Sequence, residues 1–307
     1  MTKKVSTKRK PVVAPKGQSA KDFLKDIVFV LGAFLVLNSM VLAAFEVPTG
    51  SMENEIMAGD FLFVNKFIYG GSTPRTIPLT NIRTPWFRVT DILPFLKWRE
   101  VERGDVIVFE FPGTKEQVKS PEFMFYLKRC IAISGDTVHI RDRNVFVNGQ
   151  RVPFPRNVKF NGPRIIPPGV ADSRIFPEGE PYNEDNWGPM VVPKKGDVIV
   201  LSPSNIVKWK VFIGREGHTV SIDAANQILI DGKTARRYTV ERDYVFGMGD
   251  NRDNSLDGRF WGFIPKDDIV GTPLIVYWSW DPDISLFTDP ITKLGTVRFN
   301  RIGTLIH

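Results

Sequence analysis

Ser51 lies in VPTGSMENEI (47–56), six residues after an uncharged apolar run ends. A serine hydroxyl attacks a carbonyl only where a neighbouring base takes its proton. Histidine is the usual base, and the chain holds three, His139, His218 and His307. His139 sits in a strand-like run, His218 occupies a turn where a similar stretch has Asp136, and His307 is the last residue. Each reads as an incidental side chain, so a Ser-His-Asp set is not expected. Lysine is the alternative, as in the serine–lysine variants of the same logic. A lysine normally titrates at about 10.4 and is almost wholly charged at neutral pH. It accepts a proton only where burial disfavours the charged form and lowers the pKa. Lys128, in FMFYLKRCIAI (123–133), has Phe125, Tyr126, Leu127, Cys130 and Ile131 around it. The same pattern also reads as a strand lysine facing solvent beside Arg129.

The elements that must position these groups begin with Ile27–Phe45, 19 residues without a charge. As a helix this run is about 28 Å long, close to the hydrocarbon thickness of a bilayer, about 30 Å. Asn38 and Ser39 are its only clearly polar side chains. A cleaved signal peptide is the competing reading, with Val41-Leu42-Ala43 as a tolerable cleavage pattern, but such apolar regions usually run to about 7–15 residues. The expectation is therefore a basic cytoplasmic tail (1–26), a transmembrane helix (27–45) and an extracytoplasmic body (46–307). Ser51 then lies within roughly 20 Å of the lipid boundary. Residues 1–26 hold eight basic and two acidic side chains, which is +6 of the net +7. The body is close to neutral, so a basic nucleic-acid groove is not expected. One cysteine, Cys130, excludes an intrachain disulfide framework and a multi-cysteine metal site.

The body reads as mostly β, an antiparallel sheet with few helices. Short β-branched runs such as DVIVFEF (105–111), TVHI (137–140) and DVIVL (197–201) alternate with turn residues. VNGQ and IDGK are hairpin signals, because Asn-Gly and Asp-Gly tolerate positive φ. RGDVIVF (103–109) is echoed by KGDVIVL (195–201), and SGDTVHIRDRNVFVNGQ (134–150) by EGHTVSIDAANQILIDGK (216–233). Either a duplication or convergent turn chemistry explains the echo. It makes Lys210 a rival base, seven residues before Gly217 as Lys128 is seven before Gly135. Residues 153–193 contain nine prolines and read as a surface excursion or linker. Residues 153–240 read as an inserted second β unit. In 85–100, Trp86, Phe87, Phe95 and Trp98 mix with Arg88, Lys97 and Arg99. That segment suits the lipid interface or plain packing on the core.

Four stretches in order, PTGSMENEIMAGDFLFVNK (48–66), RGDVIVF (103–109), FYLKRCIAISGDTV (125–138) and MGDNRDNSLDGRFWGFIP (248–265), resemble the bacterial type I signal peptidases. The 18-residue last stretch is the most specific. The resemblance implies a membrane-bound serine endopeptidase that removes signal peptides from secretory preproteins, preferring small residues at −1 and −3. It implies Ser51 as nucleophile and Lys128 as general base. The Ser51 N–H and the Thr49 hydroxyl would form the oxyanion hole, such donors being worth about 2.7–4 kcal/mol each. Ser255 would orient the lysine amine, and Asp257 and Arg259 would form an ion pair bracing its loop. Asp250, Asn251 and Arg252 would be architectural. Phe45, Val47, Met52 and Ile56 would wall the substrate pocket, or simply pack after the membrane helix. No metal or cofactor is implied. The lipid bilayer is an expected partner, and the bacterial cytoplasmic membrane the expected location. Many relatives have proline where Asn54 stands and serine where Gly258 stands, and the first difference is expected to alter the start of the following turn. A self-cleaving repressor-type peptidase and a non-cutting membrane-anchored β scaffold are the competing readings.

Overall fold

The computed structural model describes residues 20–71, 92 and 97–307, with Ala20 and residues 34–40 described by backbone alone. The basic residues before Ala20, and 85–91 and 93–96 of the candidate interfacial segment, lie outside the described residues. Trp98 is exposed, while Arg99 makes two hydrogen bonds to Asp105.

The chain divides into two compact units, Met1–Leu37 and Asn38–His307. Helix α1 is Ala20–Met40. Its Val28, Phe29, Val30 and Leu31 are exposed. The expected helix over 27–45 is corrected at its end. Helix geometry stops at Met40, and strand β1, Leu42–Glu46, follows and pairs antiparallel with β2, Asp60–Asn65. Leu42 to Glu46 make ladder bonds there that a helix would forfeit. Among the described residues, no helix is long and apolar enough to cross a membrane.

The second unit is mostly β, as the alternating runs predict. Its further strands are β3 (Val106–Glu110), β4 (Phe125–Ile133), β5 (Thr137–Arg141), β6 (Asn144–Val147), β7 (Gln150–Arg151) and β8 (Trp187–Val191). They continue with β9 (Val198–Val200), β10 (Val220–Ile222), β11 (Ile228–Ile230), β12 (Lys233–Thr234) and β13 (Arg237–Thr239). The last are β14 (Tyr244–Met248), β15 (Ile264–Pro265) and β16 (Ile269–Ser279). The helices of this unit are α2 (Ile206–Arg215), α3 (Gly258–Trp261) and α4 (Pro290–Gly295). A seven-stranded antiparallel sheet runs β1-β2-β16-β3-β4-β14-β15, and a four-stranded one β7-β6-β5-β8. β10-β11-β12 form a small meander, and β13 pairs with β9.

Three packing clusters hold these sheets. The largest joins β5, β6, β8, α2 and β14, with Trp187 stacked on Phe246 at 4.6 Å between ring centres. A second packs Ile107, Phe109, Cys130, Val245 and Trp261. The third lies under the Ser51 turn and holds Val47, Met52, Ile56, Leu62, Val106, Val108 and Val276. Met52 and Ile56 are almost fully enclosed, each such side chain contributing about 2–3 kcal/mol. They pin the turn on the side of Ser51 away from solvent.

Both hairpin signals hold. Asn148-Gly149 and Asp231-Gly232 have φ of 52° and 79°, and 49° and 77°, closing Val147 on Gln150 and Ile230 on Lys233. The proline-rich stretch departs from a free linker. Its end forms β8, its Ile175 and Phe176 enter the main core, and Lys159 bridges to Asn251. Prolines remove ladder donors, so most of this segment packs without strands.

Candidate active site

Strand β4 lies between β3 and β14, inside the sheet. A central strand covered on both faces buries whatever it carries, which is why Lys128 is 3% exposed and Arg129 8%. The reading of Lys128 as a solvent-facing strand lysine is thereby overturned. Its Nζ donates to the Leu127 carbonyl at 3.0 Å and lies 2.6 Å from Ser51 Oγ. Burial pushes its pKa down to about 8. Asp257 opposes that shift, Arg259 adds to it, and Asp250 opposes it weakly.

Ser51 is held by its neighbours rather than by its own strand. Its carbonyl accepts from the Asn251 N–H at 3.1 Å. The Asn251 side-chain amide donates to the Gly50 carbonyl at 3.0 Å and to Glu53 at 3.1 Å. Lys159 Nζ closes this group on Glu53 at 2.8 Å. Asn54 has φ of 81°, which a proline ring cannot adopt. The turn after Ser51 therefore differs from one built on proline.

The loop after β14 packs closely. A Cβ on Gly249 would sit 2.2 Å from Ser255 Oγ and 2.5 Å from the Ser51 carbonyl oxygen. One on Gly258 would sit 2.7 Å from a Phe246 ring carbon and 2.8 Å from the Gly247 carbonyl oxygen. Serine therefore does not fit at 258 in this backbone. Asp257 caps α3 and receives Arg259 through two side-chain bonds of 2.9 Å, with both residues buried. Burial raises the Asp257 pKa, but the Arg259 charge and hydrogen bonds outweigh it and the net shift is downward. Asp257 also accepts from the Gly249 N–H, and Arg259 donates to the carbonyls of Glu184 and Arg252. Asp250 accepts from Arg129 Nε and Nη2, at 3.0 and 2.6 Å. Fully hydrogen-bonded pairs of this kind hold a loop in register, and removing one partner leaves a buried charge.

A cleft of about 390 Å³ contains the Ser51–Lys128 contact. Phe45, Val47 and Met52 line it, joined by Leu62, Phe125 and Leu127. Ile56 does not; it is enclosed in the cluster behind the turn. Thr49 lines the cleft and is exposed. Ser255 also lines it, but its buried Oγ has no hydrogen-bond partner among the described residues. The anticipated bond from the lysine amine to Ser255 is thus absent from this arrangement. Arg174 and Glu184 supply another wall, with Asp253 and Phe260. Sequence reasoning passed over Arg174 and Glu184, because the proline-rich stretch carrying them has no period to read.

The remaining candidates lie elsewhere. Lys210 is exposed on α2. His218 bridges Asp231 and Glu241, and the His307 N–H donates to Glu55. His139 lies on β5, and none of the three histidines lines the cleft.

Comparison with known proteins gives matches over most of the chain. A family model described as signal peptidase, peptidase S26, matches residues 20–278. The signal peptidase I of Pseudomonas aeruginosa is 28% identical, covering 92% of this chain and 78% of its own. That of Aquifex aeolicus is 29% identical, covering 83% and 82%. The Rickettsia typhi enzyme of the same name is 27% identical and covers 93% of each chain.

Proposed function

We propose a mechanism from one premise: this chain belongs to the peptidase S26 family, the signal peptidases, which are serine endopeptidases. In our reading Ser51 is the nucleophile and Lys128 its base. The observation that carries this is a buried amine 2.6 Å from the hydroxyl, with a pKa lowered to about 8, so that about a tenth of it is neutral at pH 7. Neutral Lys128 takes the Ser51 proton as Oγ bonds to the substrate carbonyl carbon. The resulting ammonium protonates the leaving nitrogen as the C–N bond breaks. Lys128, neutral again, then takes a proton from water as the water oxygen bonds to the acyl carbon, and it returns that proton to Ser51 Oγ as the ester C–O bond breaks.

One lysine N–H is committed to the Leu127 carbonyl. With the lone pair of the neutral amine turned to Ser51, a second N–H is left for Ser255, which lines the same cleft. We assign Ser255 as a positioning residue on that basis. Its replacement by alanine is expected to shift the pH limb as well as the rate. The oxyanion would be met by the Ser51 N–H and the Thr49 hydroxyl, both at the cleft.

The substrate is a secretory preprotein. An extended segment laid along the exposed β1 edge would gain main-chain bonds, and the shallow apolar wall of Phe45, Val47, Met52 and Leu127 would favour small residues at −1 and −3. The uncharged run 27–45 and the basic residues before it support association with a bacterial cytoplasmic membrane. Deletion of residues 1–40 is then expected to release the protein from the membrane fraction.

Incubating the detergent-purified protein with a preprotein, beside its Ser51→Ala variant, tests the reading. Release of the mature chain by the wild type alone is expected. Equal cleavage by Ser51→Ala would remove the nucleophile.

A further inference from the structure

A second cavity, of about 330 Å³, lies apart from the cleft. Arg103, Arg129 and Arg252 line it, with Val152, Pro153 and Phe154 on another side. Two of these guanidiniums are already neutralised. Arg103 is paired with Asp136 and Arg129 with Asp250. The neighbouring Arg259 takes Asp257. Arg129 also donates to the carbonyl oxygens of Gly104 and His307. Among the described residues Arg252 is the guanidinium of this group with no carboxylate hydrogen-bonded to it.

Arg252 is 3% exposed. Its Nε donates to the Gly249 carbonyl at 3.1 Å. Its two terminal nitrogens have no hydrogen-bond partner among the described residues. Burial pushes its pKa down to about 10, Arg259 acts in the same direction, and Asp257 and Asp250 oppose it. A guanidinium does not escape such a position by losing its proton at neutral pH. A largely buried charge without a counter-charge is unfavourable, and an anion bound in the cavity that Arg252 lines relieves it.

We propose that this cavity binds a phosphate-type oxyanion on the terminal nitrogens of Arg252, with Arg129 and Arg103 beside it. The planar guanidinium fork matches phosphate oxygens in pairs. The volume exceeds that of one ion, since a water occupies about 30 Å³. The apolar side formed by Val152, Pro153 and Phe154 leaves room for an organic substituent on the phosphate. Free phosphate and a phospholipid headgroup share this chemistry. The proposal does not depend on the roles of Ser51 and Lys128.

Isothermal titration of the full chain in non-ionic detergent, at ionic strength matched with chloride, tests it. The probes are inorganic phosphate and glycerol 1-phosphate. Saturable one-to-one binding of at least one probe is expected, weakened at least tenfold by Arg252→Gln. Because that variant removes a buried bond to Gly249, a second pair of variants carries the decision. Pro153 is exposed on the rim. Pro153→Glu places a competing carboxylate there and is expected to weaken binding at least tenfold, while Pro153→Gln retains it. Tighter binding of glycerol 1-phosphate assigns the site to headgroups, and tighter binding of inorganic phosphate assigns it to the free ion. Absence of saturable binding by either probe overturns the proposal, as does a Pro153→Glu variant that binds like wild type.

Discussion

Residues 103–151 and 195–234 start from similar sequence and finish in different surroundings. Each opens with a Gly-Asp turn, Gly104 at φ 95° and Gly196 at φ 92°. In each the aspartate accepts a backbone N–H three residues back, Asp105 from Glu102 and Asp197 from Lys194, both at 2.9 Å. Each closes with a three-stranded meander on a positive-φ pair. The difference lies between. In the first, the stretch carrying Lys128 is strand β4, which pairs with β3 and is buried on both faces. In the second, the stretch carrying Lys210 is helix α2, and β9 pairs with β13 instead. β3 is buried and β9 largely exposed. Similar turns fix local geometry; the conformation of the intervening stretch decides which lysine leaves water.

The largest contrast should be in catalysis. Lys128→Ala is expected to reduce preprotein cleavage at least a thousandfold, as loss of a member of a catalytic unit does. Lys210→Ala should leave cleavage within about twofold, since exposed substitutions away from special features are nearly neutral. Circular dichroism should find both variants folded. Loss of activity in Lys210→Ala alone would move the base to α2.

Next in size is the pH dependence. Lys128 works only when neutral, so kcat/KM should rise with pH through an apparent value of about 8. Below that value the neutral fraction falls about tenfold per unit. A limb at about 10.4, the ordinary lysine range, would mean that the working amine is solvated, as Lys210 is. The same burial affects stability with a definite sign. Between about 8 and the ordinary value of 10.5, the unfolded chain holds a proton at Lys128 that the folded chain does not. This group's contribution to stability therefore rises with pH across that window.

A third contrast compares the two opening aspartates. Asp105 accepts from Arg99 at 2.6 and 2.8 Å and from the Tyr69 hydroxyl at 2.9 Å. Burial raises its pKa, but the bonds from Arg99, Glu102 and Tyr69 outweigh it and the net shift is downward. Asp105→Ala leaves Arg99 and Tyr69 unsatisfied in a half-buried site, and should cost about 2–4 kcal/mol in urea unfolding. Asp197 is exposed, and Asp197→Ala should cost about 0.5 kcal/mol. Equal costs would mean that the turn, and not the surrounding ion pair, is what aspartate stabilises.

Much of this contrast is legible in the sequence, and the illegible part has physical causes. VNGQ and IDGK give both meanders, because only a few residue pairs accept two positive φ values in succession. The Asp257–Arg259 pair comes only from the family resemblance; the helix start at Gly258 that sets its geometry is not read from the sequence. Helix α2 was hidden because VKWKV alternates like a strand, while its helical face, Ile206, Phe212 and Ile213, shows only once the core it covers is known. The end of α1 was hidden because Leu42–Phe45 is as apolar as the helix before it. Only the partner strand β2 distinguishes the two. The cleft wall at Arg174 and Glu184 comes from an aperiodic segment, placed by packing against residues distant in sequence.

The smallest expected effect lies in the meanders, where Asp136 of the first corresponds to His218 of the second. Asp136 accepts from Arg103 and from the Asn148 side chain. His218 faces Asp231, which stands where Asn148 does, and Glu241. Similar turns are thus fastened by opposite charges. Burial raises the Asp136 pKa, but Arg103 and the Ile133 N–H outweigh it and bring it below 3.8. Its contribution is present above about 3.8 and lost as pH falls through the depressed value. The His218 pKa is raised above 6.5 by its bonds to Asp231 and Glu241, against slight burial. Its contribution is complete below about 6.5 and lost as pH rises through the raised value. Amide hydrogen exchange, normalised for intrinsic rates, should therefore show residues 216–234 loosening as pH rises above about 6.5 while 134–151 stay protected. His218→Gln should remove that pH dependence and leave 134–151 as before. Parallel loosening of both meanders would mean that the hairpin backbones, and not these side-chain fasteners, set their stability.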